Sequence, residues 1–208
     1  MYEIKKLSQE IIKTIAAGEV VERPYSIVKE LLENSLDAGS KNINIFVDDH
    51  EGLYIRIVDD GVGIKEEYLS KAVERHATSK LVKQDLSEVK TLGFRGEALY
   101  AIAAASQMTI ISRTTEMTEA KKLIIKDNTK SDIIPSSGKF GTEIIVEEIF
   151  KNIPARKKFL KSNRSELYAI RDTIKRISFS HPNVCINYYE NKKIKYLFEA
   201  GKKDNSLK

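Results

Sequence analysis

The chain has 208 residues, enough for one sizeable domain and the start of another. Hydrophobic residues make up 41% and charged residues 31%, which excludes a disordered tail or a membrane-embedded bundle and fits a folded globular chain. Lys plus Arg exceeds Asp plus Glu by 35 to 30, a net charge of +5 that favours a polyanionic partner, nucleotide or nucleic acid, without choosing between them.

The opening stretch, "MYEIKKLSQEIIKTIAAGEV", is broken by charge too often for a signal peptide. A helix is predicted from about Tyr25 to Asp37, started by Pro24 and Ser26 and stopped by Gly39. "NINIFVDD" and "LYIRIV" alternate, placing Ile43, Ile45 and Val47, then Leu53, Ile55 and Ile57, on one face of a β-hairpin that ends at Asp59. Residues 65–75 read as helical. Residues 76–96 mix polar, small and glycine residues with little period, the mark of a functional loop or lid. An Ala-rich helix begins near Glu97, and strands follow at "MTIISRT", "KKLIIK" and "GTEIIVEEI". A capping-box-like start at Asn163, with Glu166 three residues on, opens a helix whose stripe is Leu167, Ile170, Ile174 and Ile177. "VCINYYENKKIKYLFEA" reads as a last hairpin. Hairpins interspersed with helices predict an α+β fold, a mostly antiparallel sheet with helices on one face.

Cys185 is the sole cysteine, which rules out an internal disulfide and fits a reducing, cytoplasmic compartment. No apolar run is long enough to span a bilayer. His50, His76 and His181 share no ligand-like spacing, so a transition-metal site is not expected. There is no GxxxxGK[ST] loop, and "GVGIKEEY" has Glu66 where a dinucleotide fingerprint needs its third glycine. A nucleotide would have to be held in another way.

Three clusters suggest how. On a wheel of roughly 100° per residue, Glu30 and Asn34 fall together beside the apolar stripe of Ile27, Val28, Leu31 and Leu32, with Lys29 and Glu33 pointing elsewhere. A carboxylate there suits proton abstraction from water, and an amide oxygen one turn on suits Mg²⁺. Spacing alone favours a plain polar helix edge. In "VDDGVGI", Asp59 ends a strand beside Gly61 and Gly63. Its carboxylate can accept a hydrogen bond from an exocyclic amine such as that of adenine, and a simple tight turn is the equal alternative. In "TLGFRGEAL", Gly93 and Gly96 precede a helix whose unpaired N–H groups suit a phosphate chain; Arg95 adds charge and Glu97 has to turn away. The run Arg156, Lys157, Lys158, Lys161 and Arg164 reads as a solvated face somewhat more readily than as a nucleic-acid surface.

Taken in order, "IAAGEVVERP" (15–24), "KELLENSLDAG" (29–39), "DDGVGI" (59–64), "RHATSK" (75–80), "GFRGEAL" (93–99) and "PARKKFL" (154–160) resemble the N-terminal ATPase domain of the MutL family of DNA mismatch repair proteins. That family sits in the GHKL group with the DNA gyrase ATPases, sensor histidine kinases and the heat-shock ATPase chaperones. The resemblance implies a two-layer α/β sandwich of the GHKL (Bergerat) type over residues 1–200, with a lid at about 76–96 and a linker to a further subdomain beginning at 201–208. It implies ATP and Mg²⁺ as cofactors, Glu30 as general base, Asn34 as the metal ligand and Asp59 as the acid that reads adenine, with Gly61 and Gly63 shaping its pocket and Thr142 supporting it. Thr78, Ser79 and Lys80 stand at the lid's start; Gly93, Phe94, Arg95, Gly96, Glu97, Ala98 and Leu99 wrap the phosphates. It further implies nucleotide-driven homodimerisation, weak non-specific contact with DNA through the basic run, mismatch-recognition and other repair partners, and a bacterial cytoplasmic, nucleoid-associated location. Family members supply a lysine to the γ-phosphate from a second subdomain, so this chain is expected to be a fragment with weak or absent turnover. Lys151 and Ile153 in "FKNIPAR" depart from the family's usual "FYNTPAR". The alternatives are another GHKL ATPase, gyrase-like or chaperone-like, or a nucleotide-switched DNA- or partner-binding module without turnover.

Overall fold

The computed structural model describes residues 21–49, 53–80, 92–93 and 96–201. The expectations for residues 1–20, for His50, for most of the lid including Phe94 and Arg95, and for 202–208 lie outside the described residues. Helix α1, Pro24–Asp37, starts on a proline in its first turn and buries Ile27, Val28, Leu31 and Leu32 along one stripe. Gly39 follows in the left-handed conformation, at φ +75, a position that costs glycine nothing.

Strands β1 (Asn42–Asp48) and β2 (Tyr54–Asp59) form the expected hairpin, with Ile45 opposite Ile57 and Val47 opposite Ile55. Every other residue of both strands is buried. The next elements are the short helix α2 (Glu66–Leu69), a 3₁₀ turn at Lys71–Val73, and helix α3 (Ala98–Ala105). Then come β3 (Gln107–Arg113), β4 (Ala120–Lys126), β5 (Thr129–Lys130), β6 (Ile134–Ser136) and β7 (Gly141–Glu147). Helices α4 (Pro154–Phe159) and α5 (Asn163–Ser180) lead to the closing hairpin of β8 (Cys185–Glu190) and β9 (Lys193–Phe198).

The strands join one sheet in the order β5-β4-β3-β7-β2-β1-β8-β9, with β6 on β4. Among the described residues every pairing is antiparallel except β1 with β8, a parallel pair reached through the α4–α5 crossover. One face carries the core: Ile43, Ile45, Ile55, Met108, Ile110, Val146, Ile186 and Tyr188 are fully covered, as are Ile27 and Leu32 of α1, Ile102 of α3, and Ile170 and Ile174 of α5. Each such side chain contributes roughly 1.5–3 kcal/mol on burial, so this layer dominates the fold's stability. The alanines Ala101, Ala103, Ala104 and Ala105 are buried, which lets α3 pack closely under β3. No helix among the described residues is long and apolar enough to cross a membrane.

Three local readings are corrected. The helical stretch of 65–75 breaks at Ser70 into a turn of α-helix and a 3₁₀ turn, and Glu74 is already extended. Helix α5 is capped by Ser162, whose hydroxyl accepts from Ser165 N, so Glu166 lies one residue too far along to close a capping box. Its buried carboxylate instead takes both Nε and Nη2 of Arg23, at 3.2 and 3.0 Å, and the N–H of Lys161 at 3.0 Å. Strands β5 and β6 and helix α4 add to the predicted set. The turn into β5 uses Asp127 and Asn128 at φ 48 and 60, residue types that tolerate the left-handed region and close a two-residue hairpin.

Candidate functional site

Asp59 stands at the end of β2, where the sheet meets the C-terminal end of α1. The residue is 8% exposed. Oδ1 accepts from Gly61 N at 2.9 Å and from Thr142 N at 3.3 Å, and Oδ2 accepts from Ser35 Oγ at 2.9 Å. Burial pushes this carboxyl above the ordinary aspartate range, against the opposing pull of Gly61 N–H, the Ser35 hydroxyl and Thr142 N–H. Its neighbour Asp60 behaves differently. Burial raises its carboxyl too, but the side-chain amide and N–H of Asn42 and the N–H of Lys41 outweigh this and hold it below the usual range. Asp60 is committed to the start of β1; Asp59 faces the site.

The glycines behave as the turn requires, for two different reasons. Gly63 has φ +74, and a Cβ on it would meet Arg113 O at 2.5 Å. Gly61 is needed for close approach instead: a Cβ there would stand 2.7 Å from Ala38 Cβ and 2.8 Å from Ser40 Oγ. Thr142 is placed by register, opposite Asp59 in the β2–β7 ladder, and its hydroxyl lies 3.0 Å from Ser112 Oγ. Ser112 also accepts from Ile64 N at 2.8 Å, joining the glycine turn to β3. Gly141, at φ +107, lets its backbone pass directly over Asp59 O, where a side chain could not fit.

The second part of the site is on the last turns of α1. Asn34 Oδ1 accepts from Lys80 Nζ at 2.8 Å, and Asp37 Oδ2 takes the same ammonium at 2.6 Å. Asp37 Oδ1 also accepts from Leu92 N at 3.0 Å, and its Oδ2 from Gly93 N at 3.3 Å. Thr78 Oγ1 accepts from Lys80 N at 3.1 Å, which fixes the turn that carries the lysine. Asn34 Oδ1 is a hard oxygen of the kind that Mg²⁺ prefers, and here it shares the Lys80 ammonium with Asp37. Among the described residues no group of three or more His, Cys, Asp or Glu side chains could hold a metal.

Glu30 lies one turn before Asn34 on the same edge, its side chain 26% exposed. Lys29 does not point elsewhere as the wheel suggested; its ammonium bridges Glu30 Oε1 at 3.3 Å and Glu33 Oε2 at 3.1 Å. Glu97, the residue just before α3 and its Ala98 and Leu99, pairs with Arg75 at 3.3 Å and His76 Nδ1 at 3.5 Å. Gly96, at φ +63, packs on Ala77, and its carbonyl accepts from His76 N at 2.9 Å. Ser79 is exposed beside Lys80.

Thus Asn34, Lys80 and Gly93 meet around Asp37 at the end of α1, with Thr78 supporting Lys80, Glu30 one turn back along the helix and Gly96 packed on Ala77; Asp59, Gly61, Gly63 and Thr142 meet at the adjoining strand end. Sequence reasoning missed Asp37, Ser35, Ser112 and Gly141. Asp37 carried a local signal, three residues beyond Asn34 and so on the same helix face. Ser112 and Gly141 carried none, because their role depends on the pairing of β3 with β7.

The basic run lies apart. Arg156, Lys157 and Lys158 are on α4, none of whose residues is buried, and Lys161 and Arg164 flank the start of α5. Of the two residues that depart from the family pattern, Ile153 is buried in the core and Lys151 is exposed, paired with Glu148 at 2.6 Å. A cleft of about 390 Å³ opens between Phe46, Arg56, Val58, Ile111 and Phe140, and Asp59 and Thr142 also line it.

Residues 22–149 match the family described as histidine kinase-, DNA gyrase B-, and HSP90-like ATPase. The chain is 44% identical over 181 residues to the DNA mismatch repair protein MutL of Bradyrhizobium diazoefficiens, covering 87% of this chain and 30% of that protein. It is 44% identical over 205 residues to MutL of Lactococcus lactis subsp. lactis, covering 98% of this chain and 31% of that one. The chain therefore spans about 30% of the length of these relatives. Among solved structures, the Aquifex aeolicus MutL ATPase domain complexed with ADP superposes with a TM-score of 0.73 at 27% identity, covering 88% of this chain and 66% of that one. The N-terminal domain of a DNA repair protein superposes with a TM-score of 0.75 at 26% identity, covering 94% and 57%. The chain belongs to the histidine kinase-, DNA gyrase B- and HSP90-like ATPase family, and within it to the MutL group.

Proposed function

We propose that the chain binds ATP with Mg²⁺ between α1, the start of α3 and the loop residues beside them, and hydrolyses it as the N-terminal ATPase domain of a MutL-like mismatch repair protein. The observation that carries this is Asp59. Its carboxylate is buried at the strand end and held in one orientation by Gly61 N, Thr142 N and Ser35 Oγ. A fixed acceptor of that kind suits the exocyclic amine of adenine, and the glycines let the turn beside it pack tightly against Ala38, Ser40 and Arg113. The ADP complex of the Aquifex relative supports a nucleotide in this fold.

In this reading Thr142 and Ser112 hold the adenine acid in place. Thr78, Ser79, Lys80, Gly93 and the backbone from Gly96 to Leu99 face the phosphates, where N–H groups at the start of α3 favour negative charge; the family likeness adds Phe94 and Arg95, which lie outside the described residues. Glu30 accepts the proton of the attacking water and orients it for in-line displacement. Asn34 would hold Mg²⁺, which would neutralise charge at the phosphate oxygens. Titration calorimetry with a non-hydrolysable ATP analogue and Mg²⁺ tests the reading. Wild type is expected to bind, and Asp59→Asn to bind about 10–100-fold more weakly, the loss of one hydrogen bond to a charged group. No binding by the wild type, or equal binding by the variant, refutes it.

A DNA-contact role for Arg156, Lys157, Lys158, Lys161 and Arg164 is a second part of the proposal. It is supported by an α4 that carries Arg156, Lys157 and Lys158 with no buried residue. Nucleotide-driven pairing of two such chains and contacts with mismatch-recognition proteins follow from the family likeness and are proposed on that basis.

A further inference from the structure

The same oxygen that the nucleotide reading assigns to Mg²⁺ is already occupied by a cation belonging to the chain. Lys80 Nζ lies 2.8 Å from Asn34 Oδ1 and 2.6 Å from Asp37 Oδ2. The contact is sheltered: the Lys80 side chain is 21% exposed and that of Asp37 8%. It is also built from several directions, because Thr78 Oγ1 holds Lys80 N while Asp37 gathers Leu92 N and Gly93 N. A Mg²⁺ ion binds an oxygen ligand at about 2.1 Å. An ammonium 2.8 Å from that oxygen would then stand within a few ångströms of a divalent cation, in a site partly screened from water. Two cations so close repel strongly, so each weakens the other's hold on Asn34.

We infer that Lys80 is a built-in competitor of Mg²⁺ for Asn34, an inference that rests on the proposed nucleotide site. With no metal bound, Lys80 satisfies Asn34 and neutralises Asp37. When the metal takes Asn34, the ammonium gives up that oxygen and stays tethered by Asp37, beside the loop backbone of Leu92 and Gly93. The metal's entry and the movement of Lys80 are one event, so metal affinity is set by how firmly Asp37 and Thr78 hold the lysine.

The test uses Mn²⁺ alone as a spectroscopic stand-in for Mg²⁺, with the nucleotide-free 208-residue chain and free Mn²⁺ followed by electron paramagnetic resonance. Lys80→Met and Lys80→Gln, each checked for folding by circular dichroism, are expected to bind Mn²⁺ about tenfold more tightly than wild type once the competing charge is gone. Adding Asn34→Ala to Lys80→Met is expected to remove that gain. A lysine serving only as a phosphate ligand predicts no gain without nucleotide. Unchanged, weaker or undetectable Mn²⁺ binding in both lysine variants overturns the inference, as does a gain that survives Asn34→Ala. Binding of the ATP analogue by wild type is measured on the same samples. Its absence refutes the nucleotide site, whereas its presence with unchanged Mn²⁺ affinity refutes the competition alone.

Discussion

Asp59→Asn is expected to stabilise the nucleotide-free protein while weakening nucleotide binding. Asn keeps the shape of Asp, and its Oδ1 can accept from Gly61 N and Thr142 N as Asp59 Oδ1 does at 2.9 and 3.3 Å. Its Nδ2 then donates to Ser35 Oγ, which is free to turn its own proton wholly to Leu31 O, 3.1 Å away. Every group is satisfied, and a buried charge is removed. The sign follows from the raised carboxyl pKa of Asp59, caused first by burial. A group whose pKa is higher in the folded than in the unfolded chain stabilises the fold below its unfolded pKa, about 3.9 for aspartate. That contribution is lost as pH rises through the folded value. At neutral pH the ionised Asp59 is therefore a cost that Asn does not carry. Relief of such a functional-site cost is worth about 1 kcal/mol, or about 2–4 °C in Tm for a chain of this size. Differential scanning calorimetry from about pH 3.5 to about pH 8, a range that starts below the unfolded aspartate pKa, checks it: the variant's advantage should be absent at the acid end and grow with pH. A variant less stable than wild type at neutral pH, or a difference independent of pH, refutes the reasoning.

Glu30→Ala should reduce single-turnover ATP hydrolysis at least about 100-fold, the contribution of a positioned general base, while calorimetry shows analogue affinity nearly unchanged. Arg23→Ala should lower stability by about 3 kcal/mol in urea unfolding, because it strands the fully buried Glu166 carboxylate without its bidentate partner; a loss below about 1 kcal/mol would show that Lys161 N–H and solvent suffice. Replacing Lys157, Lys158 and Lys161 with Ala together should weaken DNA binding and flatten the log–log salt slope by about 2–3, read by fluorescence anisotropy across a salt series. An unchanged slope removes the basic run from the DNA interface.

The parts of the fold that were legible in sequence are those whose signal is local. The stripe of Ile27, Val28, Leu31 and Leu32 and the alternation of β1 and β2 repeat at the periods of helix and strand, so neighbouring residues suffice to declare them. The start of α5 was misread by a single residue, because Ser162 and Asn163 are both good cap residues and only the folded geometry selects between them. Glu166 was thereby given a local role when its partner, Arg23, lies 143 residues away. Strands β5 and β6 are too short for alternation to register, and they exist because β4 offers them an edge.

The site divides in the same way. Sequence by itself determined its chemical types: a carboxylate and a carboxamide one turn apart, an acid at a strand end beside two glycines, and glycines ahead of a helix. Tertiary structure alone decided which of them meet. The β2–β7 register sets Thr142 against Asp59, and the course of the chain after Val73 returns Lys80 to Asn34 across 46 residues. The physical reason is range. Backbone periodicity and capping are decided within a few residues of chain. The partner of a buried charge is whatever the packed core brings within about 3 Å of it, and that is not written in any local stretch.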